Sequence, residues 1–295
     1  MAVQTGTATG YLDLLDKFRS FITGAAMGDQ AWTEMNWVSQ SDGVGKEPYL
    51  RGPGLTGDDE IFVQLQSYFS ASSDYYNIRI NGASAYSAGA NPLYNNQPGH
   101  DGQNVSIMLW NQSTPYWFIA NGRRFIIIAK VSTTYQTAYA GFILPYGLPS
   151  EYPYPVAIGG QVNAKLRWSD STDYHRNFTN PSGSLLLRTP GGEWLPFQNY
   201  NPTGINAQLL ISNVWPTRSL TNPRPSIDGT YSLNALVLHT SENDNNVYGE
   251  FQGVKRISGY GNATENTLTV DGVEWLIVQD GFRTASGNYF AVALE

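Results

Sequence analysis

The chain contains no cysteine, which excludes disulfides, Cys-ligated zinc, iron–sulfur clusters and thiol nucleophiles together. Charge is also scarce. Asp, Glu, Lys and Arg make up 14% of the 295 residues, against about a quarter in an ordinary soluble domain. No run of Lys or Arg occurs, and the densest basic spot is the pair Arg123-Arg124. A surface that tracks phosphates needs clustered cations, so nucleic acid is not an expected partner. No apolar stretch approaches the roughly 20 residues of a membrane span. Residues 1–10 carry neither the basic nor the apolar region of a signal peptide. The four Asn-x-Ser/Thr sequons, at Asn104, Asn111, Asn177 and Asn262, therefore read as chance in an Asn-rich chain.

Catalytic signatures are equally thin. The three histidines, His100, His175 and His239, lack a second ligand at metal-site or H-E-x-x-H spacing. No G-x-S-x-G elbow and no P-loop is present. Gly52-Pro53-Gly54-Leu55-Thr56-Gly57 matches G-x-G-x-x-G, but that fingerprint works only where a helix follows and its N-terminus meets a pyrophosphate. Here Asp58-Asp59-Glu60 and then a strand pattern follow, so a turn-rich loop is the expectation. The carboxylate groups Asp58-Asp59-Glu60 and Glu242-Asn243-Asp244 sit in Gly- or Asn-rich loops. Acidic side chains there commonly make turns, and neither group has calcium-loop spacing. No enzyme, metal or cofactor is expected.

What the chain does have is aromatic and neutral polar surface. Aromatics reach 13%, with 19 Tyr and 8 Trp, while the net charge is −7. Amides and hydroxyls hydrogen-bond without the desolvation cost of a charge, so surfaces made of them tolerate being covered. Tyr and Trp enrichment marks protein interfaces and sugar-binding clefts alike.

One helix is predicted. Tyr11, Leu14, Leu15, Phe18, Phe21 and Ile22 recur at three- and four-residue spacing, with Thr9 as N-cap and Gly24 as the stop. Its apolar stripe must bury itself on its own sheet or in a neighbouring subunit. Beyond it the pattern turns to period two, with strands expected at 32–38, 61–69, 75–80, 106–110, 115–120, 124–131, 135–144, 185–188, 232–239, 247–257, 267–278 and 289–294. Asn121-Gly122 reads as a two-residue type I′ turn, and Asp271-Gly272 marks a tight hairpin. Phe125-Ile126-Ile127-Ile128 is apolar at consecutive positions, as in a strand buried on both faces. The expected fold is mainly β, an antiparallel β-sandwich-like architecture with one N-terminal amphipathic helix and long Pro/Gly/Asn-rich loops. Its expected segments are 1–30 helical, 31–160 a β-rich core, 161–225 irregular loops or a small subdomain, and 226–295 C-terminal hairpins that complete the core. The four prolines within 145–155 place that stretch extended on the surface.

Several segments carry a resemblance. Tyr11-Leu12-Asp13-Leu14-Leu15-Asp16-Lys17-Phe18 with Ala26-Met27-Gly28-Asp29-Gln30-Ala31-Trp32 resembles a group of virion structural proteins of tailed bacteriophages. So do Pro115-Tyr116-Trp117-Phe118-Ile119-Ala120-Asn121-Gly122-Arg123-Arg124, Tyr139-Ala140-Gly141-Phe142 and Tyr152-Pro153-Tyr154-Pro155. The segments Gly259-Tyr260-Gly261-Asn262, Glu265-Asn266, Trp275-Leu276-Ile277-Val278-Gln279 and Phe282-Arg283-Thr284 are similar to the C-termini of phage tail-associated proteins. The resemblance implies a subunit of the tail or baseplate, assembled in the bacterial cytoplasm and incorporated into the virion, with other phage proteins and copies of itself as partners. It transfers no catalytic residue. Tyr11, Leu14, Leu15, Phe18, Phe21, Tyr146, Tyr152 and Tyr154 are then the candidate interface residues. The alternatives are a capsid decoration protein, or a receptor- or glycan-binding module in which Trp168, Tyr174, Trp194 and Tyr200 stack on sugar rings.

Overall fold

The computed structural model describes residues 1–39, 45–54, 59–88, 94–102, 105–147, 156–160, 167–170, 177–179, 185–196, 207–210, 229–240 and 247–294. The chain opens with a strand, β1 (Ala2–Ala8), then forms α1 (Tyr11–Ile22) and a 3-10 turn over Ala25–Gln30. Five strands follow as an antiparallel meander: β2 (Thr33–Ser39), β3 (Lys46–Gly52), β4 (Ile61–Ser70), β5 (Tyr75–Ala83) and β6 (Val105–Ile107). The next group is β7 (Thr114–Ala120), β8 (Arg124–Val131), β9 (Thr134–Phe142), the short β10 (Leu144–Pro145), β11 (Val156–Gly159), β12 (Leu185–Arg188) and β13 (Trp194–Pro196). Apart from β10, these join β1 in a seven-stranded sheet of order β1-β7-β8-β9-β11-β12-β13. The last sheet holds β14 (Ala207–Leu210), β15 (Asn234–Thr240), β16 (Val247–Ile257), β17 (Thr267–Val270), β18 (Val273–Gln279) and β19 (Tyr289–Ala293). Its order is β14-β15-β16-β19-β18-β17, and β10 pairs with β16 beside that path.

The β-rich, antiparallel expectation holds, with one more layer than a two-sheet sandwich has. The seven-stranded sheet lies in the middle. Phe125, Ile127 and Ala129 of β8 join the core shared with the five-stranded sheet, and Ile126 and Ile128 join the core shared with the C-terminal sheet. Side chains alternate across a strand, so a strand between two cores must be apolar at successive positions. All nine residues of β9 are buried as well. The N-terminal helical segment, 1–30, thus also supplies an edge strand of the middle sheet.

Helix α1 sits in the first core. Phe18 lies 5.2 Å from Phe118 and 4.8 Å from Phe125, and Tyr11 lies 5.5 Å from both Phe69 and Tyr76. The N-cap is Gly10 rather than Thr9, and Asp13 instead accepts hydrogen bonds from the Thr9 backbone N–H (2.7 Å) and hydroxyl (3.2 Å). This places a carboxylate in the first turn, where the helix dipole favours it. The helix runs to Ile22 with Thr23 as C-cap, and a Cβ on Gly24 just beyond it would meet the Ser20 carbonyl oxygen at 2.4 Å.

The two predicted hairpin turns part ways. Asp271 and Gly272 have φ of 52° and 83° and join Val270 directly to Val273, so the tight hairpin expected there is a two-residue turn with both central residues left-handed. Asn121 and Gly122 have no left-handed φ. There the Asn121 side-chain oxygen accepts the N–H groups of Arg123 (2.9 Å) and Arg124 (3.0 Å), and the Asn121 N–H donates to the Arg124 carbonyl. A side chain folded onto its own backbone makes this turn.

Candidate functional site

The five-stranded sheet has one face in the core and one facing out. Register puts Tyr49 of β3, Gln64 of β4 and Asn81 of β5 in one row across the outer face, with Gln66 and Arg79 as neighbours in the next. This row floors a shallow cleft walled by Met35, Phe62, Ala83 and Tyr86. The Tyr49 and Tyr86 rings lie 5.5 Å apart. Burial pushes the Tyr49 phenol well above its usual range, with the nearby Glu47 adding to the shift.

A polar chain runs along the floor. Gln64 Nε2 donates to Glu47 Oε2 (3.0 Å), Gln66 Nε2 donates to Glu47 Oε1 (2.5 Å), and Arg79 Nη1 donates to Gln66 Oε1 (3.0 Å). These bonds use one end of Gln64 only. Among the described residues its Oε1 is buried without a hydrogen-bond partner, and the residue is 5% exposed. A buried acceptor left unmade is costly to the fold. Beyond Gln66, the Arg79 guanidinium lies 3.4 Å over the Tyr68 ring, which stacks on Tyr75 at 5.5 Å. The outer face therefore offers a half-exposed Tyr–Arg ladder beside an amide-floored cleft.

The structure places the predicted interface residues differently from one another. Tyr11, Leu14, Leu15, Phe18 and Phe21 are all buried within the chain, at 3% exposure or less. They fill its own core, so they present no contact face to a neighbour. Tyr146 is exposed at 56%, and its hydroxyl donates to Glu250 at 2.9 Å. Tyr152 and Tyr154 lie outside the described residues.

Of the predicted sugar-stacking residues, Trp168 is half-buried edge-on against Trp110, 5.3 Å away. Trp194 is half-buried too, its Nε1 donating to the Gly99 carbonyl at 3.0 Å and its ring pressed on Gly82. No ring contact joins the two, and both pack against the first core. Tyr174 and Tyr200 lie outside the described residues, as do His175, Asp58 and the Glu242-Asn243-Asp244 run.

The rejected motifs have structural explanations. Gly54 N–H donates to the Gly122 carbonyl at 2.8 Å, and a Cβ on Gly122 would come within 2.5 Å of the Gly54 carbonyl oxygen. Gly54 of this motif thus packs on the central hairpin, and the next described element is β4 rather than a helix. Arg123 and Arg124 are buried at 4% and 1% exposure and form no basic surface. Burial lowers the Arg124 guanidinium to about 10. Among the described residues, no three His, Asp or Glu gather as a metal would require.

Two polar clusters that the sequence did not reveal join the middle and C-terminal sheets. Asp280, fully buried, accepts the backbone N–H groups of Asn177 (3.0 Å), Phe178 (2.9 Å) and Thr179 (2.7 Å) and the Thr179 hydroxyl (2.9 Å). Burial pushes its carboxyl above the usual carboxylate range, against the downward pull of these four bonds. At the second cluster Glu265 Oε1 accepts from Lys130 (2.6 Å) and from the Tyr135 hydroxyl (2.5 Å). Burial alone would raise Glu265, but these hydrogen bonds outweigh it and hold the carboxyl below its usual range. Its stabilising contribution is therefore present at neutral pH and is lost as acid protonates it below the ordinary carboxylate value. Glu265→Gln is expected to reduce the loss of stability on acidification, measured by thermal unfolding over a pH series. An unchanged pH profile would count against the cluster.

The sequence signals for the cleft were incomplete. Phe62, Gln64, Gln66 and Tyr68 alternate visibly along one strand, but β3, with Pro48 inside it, did not read as a strand, so Tyr49 and Glu47 had no place beside them. No protein-family model matches the chain, and no curated protein matches it significantly.

Proposed function

We propose that this chain is a structural subunit of a tailed-phage virion, in the tail or baseplate, acting through protein–protein contacts. The observation that carries the reading is the ladder of Tyr75, Tyr68 and Arg79 on an outer sheet face. Tyr and Arg are enriched at protein interfaces, Tyr because it covers much area with only two rotatable side-chain torsions, Arg because its planar guanidinium offers several donors and stacks on rings. The sequence resemblance to virion proteins supports the same setting, as does the shortage of charges to desolvate. Mass spectrometry of purified particles tests it, combined with cross-linking that reports the neighbour of Tyr68 and Tyr75. Virions that lack the chain would overturn it.

The cleft favours a second reading, a ligand-binding module of the same particle. The buried Gln64 acceptor calls for a donor, and the aromatic walls suit the apolar face of a ring. Ligand-observed NMR with host-surface oligosaccharides is expected to show binding that Gln64→Leu weakens about tenfold, the cost of one hydrogen bond to a buried group. Absence of saturation transfer to every sugar tried would remove this reading.

A further inference from the structure

An unpaired sheet edge carries a row of free N–H and C=O groups, and folded proteins blunt such edges with shortness, proline, charge or bulges. Among the described residues the three sheets end in six edge strands. Strands β6 and β13 have three residues each, and β13 ends in Pro196. Strands β14 and β17 have four each. The longer β2 shifts register between Glu34 and Asn36 and is engaged from the helix side, where Arg19 pairs with Glu34 and lies 4.1 Å over the Trp37 ring.

Strand β1 has none of these devices. It is seven residues long, Ala-Val-Gln-Thr-Gly-Thr-Ala, with no charge and no proline. Its register on β7 runs without a break from Ala2↔Ala120 to Ala8↔Thr114. Among the described residues nothing pairs with its other side, and Val3, Thr5, Gly6 and Thr7 are exposed.

We infer that the open edge of β1 is a docking site for β1 of a second copy, antiparallel about a two-fold axis. The edge of a strand in an antiparallel sheet is complementary to its own two-fold image, so one surface serves both copies. Two molecules of net charge −7 repel as wholes, but this edge brings no charge against its twin. Threonines at positions 5 and 7 supply the β-branched and hydroxyl pairs that stabilise cross-strand contacts. The pairing would extend the middle sheet from seven strands to fourteen across the dimer, twice the observed number. Such an interface is small, so the dimer is weak and dissociates on dilution. The contact deepens the assembly reading without requiring it, because it is tested on the purified chain and particle membership is tested on virions.

Sedimentation velocity of the full chain over a wide concentration range is the test, with hydrogen exchange of the β1 amides alongside. A reversible monomer–dimer equilibrium is expected, with β1 exchange slowing as protein concentration rises. Thr5→Lys sets like charges near the two-fold and is expected to weaken the dimer at least tenfold while leaving the melting curve of the monomer in place. Thr7→Lys repeats the test should the first variant misfold. Ser72→Lys, on an exposed turn of the five-stranded sheet, is expected to change nothing. A chain that stays monomeric throughout, or a dimer that Thr5→Lys and Thr7→Lys leave intact, overturns the inference.

Discussion

Asp280→Ala is expected to lower folding stability by about 4 kcal/mol or more, because it strands several buried donors at once. The carboxylate sits just past β18 and accepts three consecutive backbone N–H groups and a hydroxyl from residues 177–179. That segment has no ladder of its own to satisfy those groups. It is further tied to the middle sheet by Asn177 Nδ2, which donates to the Thr137 carbonyl and hydroxyl. Between the two ties Phe178 is fully buried, 4.8 Å from Phe290 and 5.3 Å from Phe251. Losing the carboxylate therefore costs each donor its partner and also loosens an aromatic plug between two sheets. Urea unfolding at neutral pH measures the loss. Asp280→Asn keeps one acceptor oxygen and is expected to fall between wild type and Ala. A change under about 1 kcal/mol for Asp280→Ala, the size of an ordinary surface substitution or less, would show that solvent reaches the cradle.

Phe18→Ala is expected to cost about 3–5 kcal/mol, the range for deleting a buried aromatic ring where the surroundings cannot collapse. Phe18 is 1% exposed and wedged between Phe118 of β7 and Phe125 of β8, with Leu14, Leu15 and Phe21 beside it on the helix. The rigid β7–β8 hairpin leaves little freedom to fill the space. The same substitution separates the two destinations that the helical stripe allowed. A stripe packed on its own sheet loses stability as an isolated chain. A stripe reserved for a neighbour would melt normally and fail only in assembly, so an unchanged melting temperature would contradict packing of the stripe on β7 and β8.

The helix and most strands were legible because each reports its own burial. A stripe at helical spacing, alternation at period two and an apolar run at consecutive positions each state how many faces are covered. Strand β8 shows how far this goes, since its four-residue apolar run announced a strand between two cores. The missing strands failed for equally physical reasons. Strand β1 alternates only weakly because its edge is open to water, and β3 carries Pro48 within it. Nothing in the sequence singles out Asp280, since its donors arrive from about a hundred positions away.

The sequence by itself determined the class of the fold, its antiparallel hairpins, its one amphipathic helix and the absence of any cysteine chemistry. It did so through local periodicity, which depends only on near neighbours along the chain. The tertiary structure alone decided that three sheets stack rather than two and that the helical stripe closes on β7 and β8. It also decided which residues form a site. Tyr49, Gln64 and Asn81 become one row, and Asp280 meets its cradle, only after separate strands are brought into register. Register and sheet order are properties of long-range pairing, and periodicity says that a face is covered without saying by what.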